Sequence, residues 1–189
     1  MVDIDGGISN GTSLSSFADD TRATKGVKNV CDCTDFQEDL FNVYDWSFDN
    51  NMEYNSSKFE AMRYGLDEVL KLCTSYVSDR GSVIEQKDHI KDLGITMSSD
   101  CTFKKHIENV VEATTKLSAW ILRTFRSREP DVMLTLWRTL VLPKFDYCSQ
   151  LWCPLKTGDI QKLEEVQKSF LRKITSGVGV RVLLCFLII

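Results

Sequence analysis

Asp19 and Asp20 are adjacent acids that follow the short extended run Leu14 to Phe17. On a tight hairpin turn they would hold two carboxylates side by side. Like charges that close are unfavourable unless a cation neutralises them. Magnesium suits the place, because it is a hard ion that takes oxygen ligands and keeps part of its water. Two such ions about 4 Å apart stabilise both oxygens of an in-line phosphoryl displacement. The plain alternative is a solvated Asp-Asp turn at the start of a polar loop.

A second set of candidates is basic. Lys104, Lys105, Lys116, Arg123, Arg126 and Arg128 lie on a stretch with helical periodicity and could contact phosphates through charge alone. Their alternative is a solvated helix face. Trp120, Trp137 and Trp152 could stack on bases, but they sit within apolar stripes, where core packing is the favoured role. His89 and His106 have no nearby acid or thiol pattern and receive no chemical role. The seven cysteines include Cys31 and Cys33, with one residue between them, and Cys148 and Cys153, with four between them. Neither pair has zinc-knuckle spacing, so free thiols in a reducing compartment are expected.

The elements that must position these residues follow from periodicity and turn chemistry. Residues 1–13 read as a flexible lead-in rich in Gly, Ser and Asn. Leu14–Phe17 and Thr21–Val30 read as strands joined at Asp19-Asp20. Thr34 with Gln37 makes a capping-box pattern, so a helix is expected from Thr34 to about Asn50, with Phe36, Leu40, Val43 and Ser47 on one face. Phe59–Tyr64, 72–77 and 82–96 read as short strands, with Asp79-Arg80-Gly81 as a turn. From Thr102 to Arg126, Phe103, Ile107, Val110, Thr114, Leu117, Ile121 and Phe125 recur at helical spacing. Pro130 fits the first turn of a further helix, expected to run to Leu142 and stop at Pro143. Phe145 to Trp152 reads as a short aromatic segment. A last helix from about Asp159 carries Ile160, Leu163, Val166, Phe170 and Ile174. The fold class is therefore α+β, with strands and a helix first and helices alone after them.

Composition bounds the rest. The chain has 189 residues, 43% hydrophobic and 26% charged, with three prolines and ten glycines. That excludes a fibrous repeat, a Pro-rich linker or wholesale disorder. The net charge of −4 hides a gradient: residues 1–60 hold 12 acids against 4 bases, and residues 102–175 hold 13 bases against 8 acids. Metal ions at an acidic end and a polyanion at a basic end would fit this gradient, although wet helix faces alone can produce it. The first residues lack the basic start and apolar run of a signal peptide, so an intracellular place, cytoplasm or nucleus, is expected. Residues 178–189 are almost wholly apolar, but about 12 residues fall short of the roughly 20 a membrane span needs.

Taken in order, these motifs resemble reverse transcriptases of non-LTR, LINE-type, jockey-like retrotransposons. The stretch LSSFADDTR resembles the family's aromatic-Ala-Asp-Asp hairpin. The helix with Trp46, followed by Asn55-x-x-Lys58, is similar to the next block. DLGITM resembles the primer-grip strand pair, with Leu93 and Gly94 at its centre. CTFKKHI and the helix after it resemble the start of the thumb, and LVLPKFDYCSQLW and IQKLEEVQKSFLRKI resemble segments beyond it. The coverage is about residues 8–175.

The resemblance implies an RNA-directed DNA polymerase fragment: a partial right-hand palm of short antiparallel strands plus a helix over 14–100, an all-helical thumb and post-thumb region over 101–175, and an atypical apolar tail over 176–189. It implies that Asp19 and Asp20 bind Mg2+, that Lys58 neutralises or protonates the leaving pyrophosphate, and that Leu93 and Gly94 let the primer backbone come close. The implied partners are an RNA template, a DNA primer, deoxynucleoside triphosphates and the fingers and upstream palm segment of a longer element; no membrane is expected. The family's further metal-binding Asp lies on that upstream segment, so this chain is expected to be inactive alone. Two alternatives stay open: a non-enzymatic nucleic-acid-binding remnant built on residues 102–175, and a decayed product with no function.

Overall fold

The computed structural model describes residues 8, 11–52, 54–65 and 75–175. They form two compact units, divided between Ile90 and Lys91. The expected tail, the lead-in up to Ser9–Asn10 apart from Ile8, and residues 72–74 of the expected 72–77 strand fall outside the described residues. Of that strand's remaining residues Val77 alone forms a β-bridge, isolated and antiparallel, with Val83.

The first unit opens on a hairpin. Strand β1, Thr12–Phe17, pairs antiparallel with β2, Asp20–Lys25, from Thr12↔Lys25 to Phe17↔Asp20. Alternation along β1 leaves Thr12, Leu14 and Ser16 half-buried and Ser13, Ser15 and Phe17 exposed, the period of two that a half-covered sheet requires. Helix α1 spans Val30–Asp49. It starts four residues before the expected Thr34 because Asn29 and Asp32 outcompete Thr34 and Gln37. The Asn29 side chain accepts from the Asp32 N–H at 2.9 Å, and the Asp32 carboxylate accepts from the Asn29 N–H at 3.1 Å. Such a reciprocal box satisfies two otherwise orphaned amide donors. The helix ends at Asn50 as expected. Cys33, Asp39, Val43, Tyr44 and Ser47 form its buried face.

Only Glu60–Ala61 of the expected 59–64 strand is extended (β3), and it pairs parallel, not antiparallel, with β4, Glu85–Gln86. Lys87 ties the two, with Nζ 2.6 Å from Glu60 and 3.3 Å from Glu85. Tyr44 and Phe59 stack at 5.5 Å, and Phe36 meets Tyr76 edge-on at 5.1 Å, so aromatic contacts carry the packing where strands are short. The turn expected at Asp79-Arg80-Gly81 is present, closed by Gly81 N–H to the Ser78 carbonyl at 2.9 Å.

Strand β5, His89–Asp92, and β6, Ile95–Ser98, form a hairpin through the two-residue turn Leu93-Gly94. The 82–96 stretch, expected as short strands, divides into β4, β5 and the start of β6, and the pair expected over 92–97 is the β5–β6 hairpin. Helix α2, Lys104–Thr124, follows the expected stripe, with Ile107, Thr114 and Ile121 buried. Pro130 opens α3, Pro130–Leu136, at its first turn. The chain does not stop at Pro143. A π-helical turn, Trp137–Val141, leads into α4, Leu142–Asp146, which contains the proline. Pro143 has no N–H and its ring clashes with the carbonyl four residues back in a regular helix. The wider turn, with Leu142 N–H bonded to the Trp137 carbonyl, lets the helix pass. After α5, Ser149–Trp152, the last helix α6 runs Thr157–Thr175, starting two residues before the expected Asp159.

The core of this second unit joins Ile95, Ile107, Ile121, Met133, Trp137, Val141, Phe145, Trp152, Leu163, Val166, Phe170 and Ile174. Trp137 sits at its centre, 4.8 Å from Phe170 and 6.3 Å from Phe145 between ring centroids. Among the described residues, no helix is long and apolar enough to cross a membrane. The architecture is α+β, as the sequence implies.

Candidate functional site: two hairpin turns and a basic helix face

Asp19 lies in the two-residue turn between β1 and β2, and Asp20 is the first residue of β2. Both are exposed, as is Phe17 before them at 68%. Ala18 has φ +51°. Hairpin loops of two residues favour left-handed φ because it matches the strand twist, and glycine normally supplies it. An alanine there costs about 1 kcal/mol. Strain of this kind is concentrated at functional turns.

The other end of this hairpin is anchored. Asp39, buried on α1, receives a hydrogen bond from the Thr12 hydroxyl on β1 and an ion pair from Lys25 on β2 at 3.2 Å. Thr12 and Lys25 are register partners, so one carboxylate grips both strands at the end away from Asp19. Asp39 was missed from the sequence. The available signal was its place one turn before Val43 on the buried face of α1.

The two hairpin carboxylates fit magnesium in kind: they are hard oxygen donors, open to solvent, and such ions are commonly held by one or two carboxylates plus water and phosphate. Among the described residues, no group of three or more His, Cys, Asp and Glu side chains could hold a metal ion. Lys58 is exposed at the end of a single 3-10 turn, Ser56–Lys58, which Asn55 caps by accepting from the Ser57 N–H at 3.2 Å.

In the second unit, Leu93 and Gly94 form the β5–β6 turn, with φ +45° and +88°. Two positive values in succession mark the type I′ loop that suits a hairpin. The Tyr147 hydroxyl donates to the Leu93 carbonyl at 2.7 Å. Behind the turn, His106 Nδ1 accepts from the Thr96 N–H at 3.2 Å, so the buried ring is neutral with its acceptor on that nitrogen. Burial pushes its pKa below the ordinary value. His106 thus has a structural role where the sequence suggested none.

The six basic candidates separate. Successive residues on a helix turn by about 100°, which puts Lys105, Lys116 and Arg123 within roughly 20° of one another and opposite the buried stripe of α2. Glu112 shares that face and pairs with Lys116 at 2.5 Å, which lowers its pKa. Lys104 projects elsewhere on the first turn. Arg126 is exposed beyond the helix end. Arg128 folds back on α2, donating to the carbonyls of Phe125, at 2.6 Å, and Leu122. It caps the helix and satisfies carbonyls left open by the end of the ladder. Of the tryptophans, Trp137 and Trp152 are core, as favoured, whereas Trp120 is 45% exposed against Phe125.

The chain is similar to the RNA-directed DNA polymerase from mobile element jockey of Drosophila funebris, 23% identical over 169 residues, which cover 87% of this chain and 18% of that protein. It is 24% identical to the probable RNA-directed DNA polymerase from transposon X-element of Drosophila melanogaster over 169 residues, 86% of this chain and 18% of that protein. The jockey polymerase of Drosophila melanogaster is 24% identical over 168 residues, with the same 18% spanned. These relatives agree with the resemblance carried by the motifs. The chain spans less than a fifth of their length. No family model matches it, and no solved structure matches it.

Proposed function

We propose that this chain is a palm-to-thumb portion of an RNA-directed DNA polymerase of a non-LTR retrotransposon. The observation that carries this reading is the adjacent Asp19 and Asp20 on a strained, anchored hairpin turn, in a chain similar over most of its length to jockey-type polymerases. In this reading Asp19 and Asp20 hold Mg2+, which would polarise the phosphoryl group and lower the cost of forming a primer 3′-oxyanion nucleophile.

The chain's own residues do the positioning. The Thr12–Asp39–Lys25 anchor fixes the far end of the hairpin, so Asp19 and Asp20 do not have to be ordered when ligands arrive. Lys58, an exposed cation, neutralises charge on the departing pyrophosphate. The Leu93–Gly94 turn meets the primer backbone, with Gly94 supplying the φ of +88° that the turn needs and its missing Cβ leaving room for the Tyr147 ring. Lys105, Lys116 and Arg123 bind the phosphates of the template–primer duplex by charge.

The same reading expects the 189 residues to lack polymerase activity by themselves. Among the described residues the hairpin supplies two carboxylates, too few protein ligands for a two-metal centre, so this reading calls for a further segment to complete it. Primer extension with an RNA template, a DNA primer, triphosphates and Mg2+ tests this. No product is expected. Product that is abolished by Asp19→Asn would overturn the inactivity while supporting the site.

A further inference from the structure

Tyr147 lies between α4 and α5 and is 52% exposed, yet its hydroxyl reaches back 54 residues to donate to the Leu93 carbonyl. The same ring flanks Gly94: a Cβ built there would meet Tyr147 Cε1 at 3.3 Å. The tyrosine is itself held, because the Trp152 Nε1–H donates to its carbonyl at 2.8 Å. Trp152 is 2% exposed and meets His106 edge-on at 5.1 Å, and His106 in turn accepts from Thr96 on β6. The turn is thus gripped at Leu93 and again beyond Gly94 by one chain of contacts.

An exposed phenol has no need of a distant carbonyl, since water would serve it equally well. Leu93, with φ +45°, holds a conformation that bulky residues rarely adopt and that persists only when its surroundings enforce it. The Tyr147 hydroxyl supplies that enforcement by fixing the peptide between Leu93 and Gly94. A turn ordered in advance does not lose freedom when a phosphate backbone settles against it.

We propose that Tyr147 is a positioning residue that clamps the Leu93–Gly94 turn in the form a primer backbone requires. This rests on the primer-grip reading of Leu93 and Gly94. Tyr147 itself touches no reacting atom.

The test uses the 189-residue chain and fluorescence anisotropy with two probes: a fluorescein-labelled DNA primer annealed to a longer RNA template, and a blunt RNA–DNA duplex. Wild type should prefer the recessed end. Tyr147→Phe keeps the ring and removes one oxygen. It should speed amide exchange across residues 93–96 and weaken recessed-end binding about fivefold, the scale of one net hydrogen bond, with blunt-duplex binding unchanged. A purely structural role would change both probes together or neither, and that result overturns the proposal. Leu93→Asp keeps the carbonyl that Tyr147 uses and places a charge against the primer. If Leu93→Asp abolishes the preference while Tyr147→Phe leaves it intact, the clamp is wrong and the primer grip stands. If wild type shows no preference, the primer grip falls and the clamp falls with it. Should Tyr147→Phe melt early, both titrations are repeated at a temperature where the variant is folded by circular dichroism, with the same expectation.

Discussion

Lys25 Nζ lies 3.2 Å from Asp39 Oδ2, with the two side chains 6% and 4% exposed. This pair joins β2 of the carboxylate hairpin to α1, and the Thr12 hydroxyl adds β1 to the same carboxylate. A buried pair of this kind is expensive to break from one side. Asp39→Ala should destabilise the protein by about 3 kcal/mol, because it removes the buried carboxylate that both the Lys25 ammonium and the Thr12 hydroxyl bond to. Replacing both partners with apolar residues, Lys25→Met with Asp39→Leu, should recover most of that loss. Urea melts of the two single variants and the double variant measure the coupling. Equal stability of Asp39→Ala and wild type would remove the anchor from the mechanism.

The hairpin turn should behave in the opposite way. Asp19 and Asp20 are exposed, so Asp19→Asn or Asp20→Asn should change stability by no more than about 0.5 kcal/mol. Either change should nevertheless abolish binding of Mn2+ as a stand-in for Mg2+, measured by isothermal titration in the presence of a deoxynucleoside triphosphate. Residues kept for folding would show the reverse pattern.

Much of the scaffold could be read from the sequence, and the failures have distinct physical causes. The stripe from Ile107 to Ile121 set α2 because helical periodicity over 21 residues leaves no competing arrangement. The hairpin around Asp19 was legible from its polar break between extended runs. The start of α1 was not, because two capping boxes compete there and hydrogen-bond geometry decides between them. Pro143 was misjudged because a π-helical turn can absorb a proline, and no local sequence rule announces one. Asp39 and Tyr147 act across 14 and 54 residues, so only tertiary packing brings them to their hairpins. Arg128 looked like one more basic residue until its guanidinium was seen capping α2.

His106 makes stability depend on pH. Its folded pKa lies below the ordinary 6.5 because of burial, so the unfolded chain binds the proton more readily. The stabilisation is therefore complete well above pH 6.5 and falls away as pH drops through 6.5 towards the folded pKa. Protonation also removes the acceptor that holds the Thr96 N–H. Thermal melts between pH 7.5 and 5.5 should show this decline, and His106→Gln should flatten it. An unaltered profile in the variant would assign the decline to other groups.

The basic face of α2 predicts salt-dependent binding. Titrations of an RNA–DNA duplex at several salt concentrations should give a linear plot of log K against log salt. Each of Lys105→Gln, Lys116→Gln and Arg123→Gln should lower the slope by about 1 if that residue neutralises one phosphate. Arg128→Gln should leave the slope unchanged and lower the melting temperature, because its guanidinium caps the helix.

The most direct measurement is primer extension by a jockey polymerase in which residues 11–175 of this chain replace the matched segment. With an RNA template, a DNA primer and Mg2+, the hybrid should extend the primer, and either Asp19→Asn or Asp20→Asn should reduce product by about a hundred- to a thousandfold, the scale of removing a principal electrostatic contributor. Extension that continues unchanged with both aspartates replaced would contradict the assignment of the hairpin as the metal-binding site.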